Sequence, residues 1–178
     1  MKIVLVGYRA SGKSTLGQLL AQRLEWPYKD IDRGIEARTS KTLTEFYEEL
    51  GEEPFRRIET EVVEEMCQED QCVISFGAGS VIKERNQIAA QRDALVVFLD
   101  VPVQELWRRI ENDPRSGDTR PPLSRGGIEE VEEMLAKREP IYRKCADVVL
   151  DGTRAVEELV GEVVAVLREK QRAEGGQN

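Results

Sequence analysis

The chain of 178 residues contains no histidine, which excludes imidazole acid–base chemistry and histidine metal sites. Cysteine is scarce. Cys67, Cys72 and Cys145 fit no paired metal-binding spacing and are expected as reduced core thiols of a cytoplasmic protein. The apolar start of the chain is broken by Gly7, Tyr8 and Arg9, so neither a signal peptide nor a membrane span is expected. Positive charge is in deficit: 26 Lys and Arg against 34 Asp and Glu leave a net charge of −8. That balance argues against a nucleic-acid partner held mainly through phosphates, and leaves room for a local basic pocket. The rest of the composition, 40% apolar and 34% charged, suits one globular domain with its own core.

What is present is concentrated near the start. Ile3 to Val6 is a β-branched run that fits a buried parallel strand. Gly7, four residues, then Gly12-Lys13-Ser14 is the phosphate-binding P-loop pattern. Its spacing has a physical cause: backbone N–H groups must wrap a phosphate, so a Cβ is excluded where it would block the approach. The candidate nucleotide-binding residues are Gly7, Ala10, Ser11, Gly12, Lys13, Ser14 and Thr15. Lys13 brings a positive charge to the β- and γ-phosphates, and the Ser14 hydroxyl can ligate Mg²⁺ accompanying ATP. Leu16, Leu19, Leu20 and Leu24 then give a helix whose N-terminus favours the same anion.

Further along, a short strand over 26–32 ends in acid, and helices are expected near 33–39, 43–50 and 52–69. Strands follow at 72–76, 94–99 and 147–150, separated by helices near 83–92, 102–112 and from Ile128 onward. A last helix carries Val156 to Leu167, and a disordered tail is expected over 172–178. This alternation predicts an α/β three-layer sandwich: a parallel sheet of about five strands with helices on both faces. Residues 1–171 form one domain in this reading. Ligands bind such sheets at the carboxyl ends of strands, so the P-loop, Asp30 with Asp32, and Gly77-Ala78-Gly79 should meet at one crevice. Residues 113–127 hold three prolines, three glycines and three arginines with Leu123 as their only large apolar residue, and are expected as a mobile lid.

Five blocks occur in order: the acidic run from Asp30 to Glu36, Phe55 to Glu59, Gly77 to Gly79, Arg120 to Leu123, and Arg138 to Tyr142. Together with the P-loop they resemble the shikimate kinases, over about Lys2 to Leu167. The resemblance implies a nucleoside-monophosphate-kinase-like fold with a lid, and transfer of phosphate from ATP with Mg²⁺ to the 3-hydroxyl of shikimate. It implies that Asp32 takes the acceptor hydroxyl, that Arg56 and Arg138 hold the substrate carboxylate, and that Gly77, Ala78 and Gly79 line the substrate. The catalytic set is then Lys13, Asp32 and the lid arginine Arg120.

The residues themselves support part of this. Asp32 can orient a hydroxyl or take its proton, or can cap the helix starting at Arg33. Asp30 offers a second carboxylate for metal-bound water. Arg56 can bind a carboxylate bidentately with Glu59 pinning it, or form only a surface ion pair. Arg138 continues the apolar stripe Ile128, Val131, Leu135, so a charge occupies a face that should be buried and needs an anionic partner. Ala78 stands where the family has glycine, and would be strained if its φ were positive. The family's proline near the adenine is missing after Asp151, where Arg154 stands; Arg109 is a second candidate to cover the base. Arg115 and Arg125 are alternatives to Arg120 within the lid. A gluconate or nucleoside-monophosphate kinase, or a non-catalytic nucleotide-binding relative, are the competing readings. Asp32, Arg56 and Arg138 suit a hydroxylated carboxylate better than a nucleotide acceptor. A monomer is expected.

Overall fold

A computed structural model of the protein describes residues 1–113 and 127–175. Five parallel strands, β1 (Lys2–Val6), β2 (Tyr28–Asp30), β3 (Val73–Ser75), β4 (Ala94–Asp100) and β5 (Val148–Asp151), form one sheet in the order β2-β3-β1-β4-β5. Between them run α1 (Lys13–Leu24), α2 (Ile31–Thr39), α3 (Leu43–Leu50), α4 (Glu52–Met66), α5 (Glu84–Gln91), α6 (Val103–Asn112), α7 (Ile128–Cys145) and, last, α8 (Val156–Gly175).

Strand alternation divides the core in two. Ile3, Leu5, Leu95, Val97 and Leu99 pack with Leu16 and Leu20 of α1 and Leu159, Val163 and Leu167 of α8. Val4, Val6, Val96 and Phe98 turn to the opposite face and pack with Ile31, Phe46, Phe55, Val131 and Tyr142 of the other helices. The three cysteines are buried and unpaired, and burial pushes the Cys67 thiol up to about 12, so these are core residues with inert thiols. Among the described residues no helix is long and apolar enough to cross a membrane.

The chain leaves β1 toward β2 and β3 on one side, then crosses to β4 and β5 on the other. The loop after β1 therefore lies where the winding reverses, the place at which parallel sheets open a crevice.

Three expected boundaries are corrected. The second strand ends at Asp30, and α2 starts at Ile31, so Asp32 lies in the first helical turn and not at a strand end. Asp30 is the helix cap: its backbone is extended (φ −132°, ψ 122°) and its carboxylate accepts from the Arg33 N–H at 3.2 Å. Helix α4 ends at Met66 and not near residue 69. Helix α8 continues to Gly175, where a tail was expected from 172, because no glycine or proline interrupts the run after Gly161. Residues 114–126, which include Arg115, Arg120 and Arg125 of the expected lid, lie outside the described residues.

Candidate active site

The P-loop connects β1 to α1 through three residues of positive φ, Gly7, Ala10 and Gly12. Gly7 has φ 146°, and a Cβ there would stand 2.9 Å from the Leu99 carbonyl oxygen and 3.0 Å from Ser11 Oγ, so neither backbone nor neighbours admit a side chain. Ala10 also takes a positive φ, 62°, despite its Cβ. That costs an L-residue roughly 1–2 kcal/mol, and such local strain persists only where surrounding contacts fix the backbone. Lys13 is buried and donates from Nζ to the carbonyls of Gly7 (2.9 Å) and Tyr8 (2.7 Å), with Ser11 Oγ at 3.4 Å. Its ammonium is thus bent over the loop it belongs to, beside the N-terminus of α1. A charge and a helix terminus converge there on one anion-sized space.

This loop forms one wall of a cavity of about 680 Å³ that is also lined by Asp30, Asp32, Ser75, Tyr28 and Arg109. Arg109 ties three segments together. Its Nη1 donates to the Ala10 and Ser11 carbonyls at 3.3 Å, its Nη2 donates to the Gly152 carbonyl at 3.0 Å, and its Nε donates to Glu105 at 2.7 Å. Hydrogen bonds from Arg108 and Arg109 hold the Glu105 carboxyl at about 2. Arg154, the other residue expected near the base, does not line this cavity. It is exposed and drawn along α8 by Glu158 (3.4 Å) and Glu162 (2.7 Å).

Beside the cavity the Gly77-Ala78-Gly79 turn, next in the chain after β3 and Phe76, packs against the expected substrate residues. A Cβ at Gly77 would stand 2.4 Å from Asp32 Oδ1, and one at Gly79 would stand 2.9 Å from Arg56 Nη1. The two glycines are therefore the space into which the aspartate and the arginine fit. Ala78 is not among the residues with positive φ, so the strain considered for it does not arise. Its carbonyl accepts a 2.5 Å hydrogen bond from the Tyr142 hydroxyl, which fastens the turn to α7.

Arg56 is held from behind. Its Nη1 donates to Glu59 at 2.8 Å, Glu59 accepts at its other oxygen from Ser80 Oγ at 3.0 Å, and Asn86 fixes the Ser80 carbonyl at 2.7 Å. Glu59 is 2% exposed, so this is a buried pair and not the surface ion pair that the sequence left open. One turn before Tyr142, Arg138 stacks its guanidinium over Tyr8 at 5.8 Å, and its buried Nε has no hydrogen-bond partner among the described residues. Val131, Leu135, Tyr142 and Cys145 of the same helix are buried, so the charge does stand in an apolar stripe.

Sequence reasoning missed Tyr28 and Ser75 as cavity residues. Tyr28 precedes Asp30 by two on a strand, and that period-2 spacing was the available signal. Burial pushes its phenol up, and it donates to Asp30 Oδ2 at 3.1 Å.

Against known proteins, a family model described as shikimate kinase matches residues 9–168. The chain belongs to the shikimate kinase family. A shikimate kinase of Aromatoleum aromaticum is 37% identical over 155 residues, 86% of each chain. A solved shikimate kinase of Acinetobacter baumannii, in complex with shikimate, superposes with a TM-score of 0.87 at 27% identity, covering 95% of this chain and 93% of the other. One from Aquifex aeolicus superposes at 0.80 with 32% identity, covering 96% and 98%.

Proposed function

We propose that this protein transfers the γ-phosphate of ATP to the 3-hydroxyl of shikimate, giving shikimate 3-phosphate. The observation that carries the acceptor is Arg138: a guanidinium in an apolar stripe, its Nε buried and without a partner among the described residues, suits a small anion such as the shikimate carboxylate. Arg56, fixed by Glu59, supplies the second fork. Asp32 accepts the acceptor hydroxyl and either orients it or takes its proton as the O–P bond forms.

On the donor side the P-loop N–H groups and Lys13 hold the β- and γ-phosphates. The hydrogen bonds that Arg109 makes among the described residues leave from the edge of its planar guanidinium, so its faces suit stacking on the adenine. Arg154 adds no contact to this arrangement. Magnesium fits the donors present: Ser14 and Asp30 are hard oxygens lining the same cavity, of the kind this ion takes alongside nucleotide phosphates. When bound, it would neutralise charge on the transferring phosphoryl group. Arg120 is the lid residue we assign to that group as well, excluding water and adding positive charge during transfer. The three unpaired buried thiols favour a reducing compartment, so we place the enzyme, as a monomer, in the cytoplasm. Phosphorus NMR of the product of ATP and shikimate tests the reaction: one new phosphomonoester coupled to the C3 proton is expected, and no new ester, or an ester at another carbon, would overturn it.

A further inference from the structure

The Tyr28 ring packs one edge against α1 where Gly17 has no side chain; a Cβ on Gly17 would stand 2.5 Å from Tyr28 Cε2. That fit delivers the phenolic oxygen to Asp30, one of the two residues assigned to magnesium, in the cavity that Ser14 and Ser75 also line. The phenol donates to Asp30 Oδ2 at 3.1 Å. Asp30 Oδ1 is already taken by the Arg33 N–H.

A carboxylate that faces a metal holds its orientation only when its other lone pairs are engaged. We infer that Tyr28 is a positioning residue for the metal of the nucleotide complex: with Oδ1 held by the Arg33 N–H and Oδ2 held by the Tyr28 hydroxyl, the Asp30 carboxylate is fixed in rotation and keeps a free lone pair for the ion. Phenylalanine would pack equally well against Gly17 and would leave Asp30 Oδ2 without its donor.

This inference rests on the magnesium assignment proposed above. The test is calorimetric binding of ADP to the whole protein with MgCl₂ and with EDTA, for the wild type and for Tyr28→Phe. The wild type is expected to gain affinity for ADP when magnesium is present. In Tyr28→Phe that gain falls by about tenfold or more, the lower end of what loss of an outer-shell partner costs a metal site. ADP affinity in EDTA, shikimate affinity and melting temperature should remain close to wild type. An undiminished magnesium gain in Tyr28→Phe overturns the inference, as does an equal loss of metal-free ADP binding or a variant that fails to fold, each of which makes the hydroxyl structural. If the wild type itself shows no magnesium gain, the metal assignment fails instead.

Discussion

The guanidinium of Arg138 stands 5.8 Å from the centre of the Tyr8 ring, joining a helix from the second half of the chain to the first residue after the Gly7 turn. Arg138 is thus placed by the nucleotide loop yet does not line the cavity that the loop walls. Its guanidinium stacks on that ring, and its buried Nε has no hydrogen-bond partner among the described residues.

Arg138→Ala is therefore expected to raise the shikimate KM by roughly 10- to 100-fold, the equivalent of losing one charge-assisted hydrogen bond. The KM for ATP should barely change. Steady-state kinetics with each substrate varied in turn checks this, and equal damage to both would place the arginine on the nucleotide.

The glycine turn discriminates between neighbours. Gly79→Ala drives a Cβ to 2.9 Å from Arg56 Nη1, so the arginine must shift, and shikimate KM should rise by about tenfold or more. Ala78→Gly removes a Cβ from a residue without positive φ and leaves the carbonyl that Tyr142 holds, so KM should change by less than about tenfold. The reverse ranking would show that Ala78 has a positive role.

Glu105 gives a pH dependence of known sign. Its carboxyl lies at about 2 in the folded protein, below the ordinary 4.5, because Arg108 and Arg109 donate to it. A depressed folded value means the stabilisation is present in full above 4.5 and is lost as pH falls through about 2. Glu105→Gln should therefore melt below the wild type by a constant margin from pH 7 to 5, and the margin should close on further acidification. A margin unchanged down to the acid limit would contradict it.

Arg120→Ala should lower kcat at least about a hundredfold, a floor beneath the 10³–10⁵ range of arginines that stabilise transferring phosphoryl groups, with shikimate Kd little changed. If kcat survives while Arg115→Ala or Arg125→Ala abolishes it, the role belongs to that arginine. If all three variants remain active, no lid arginine takes part.

How much of this was legible in the sequence varies with how local the cause is. The P-loop could be read directly, because strand, glycine spacing and helix are contiguous. The place of Arg138 in an apolar stripe could be read because a charge breaking a helical stripe is itself a periodic signal. The boundary between β2 and α2 was misplaced by two residues, since Asp30 and Asp32 can both cap a helix and only the extended backbone at Asp30 decides between them. The depth of Arg56 was not legible: it depends on Ser80 and Asn86, brought to Glu59 from beyond β3. Nor was the Tyr28 oxygen, whose position depends on α1 crossing β2 at Gly17.

The central claim is acceptor identity, and ADP release in a coupled assay tests it most directly. With saturating ATP and Mg²⁺, shikimate, gluconate and the nucleoside monophosphates are offered in turn. Turnover with shikimate and background rates with the others is the predicted result; no ADP release with shikimate, or faster release with gluconate or a nucleoside monophosphate, would contradict it.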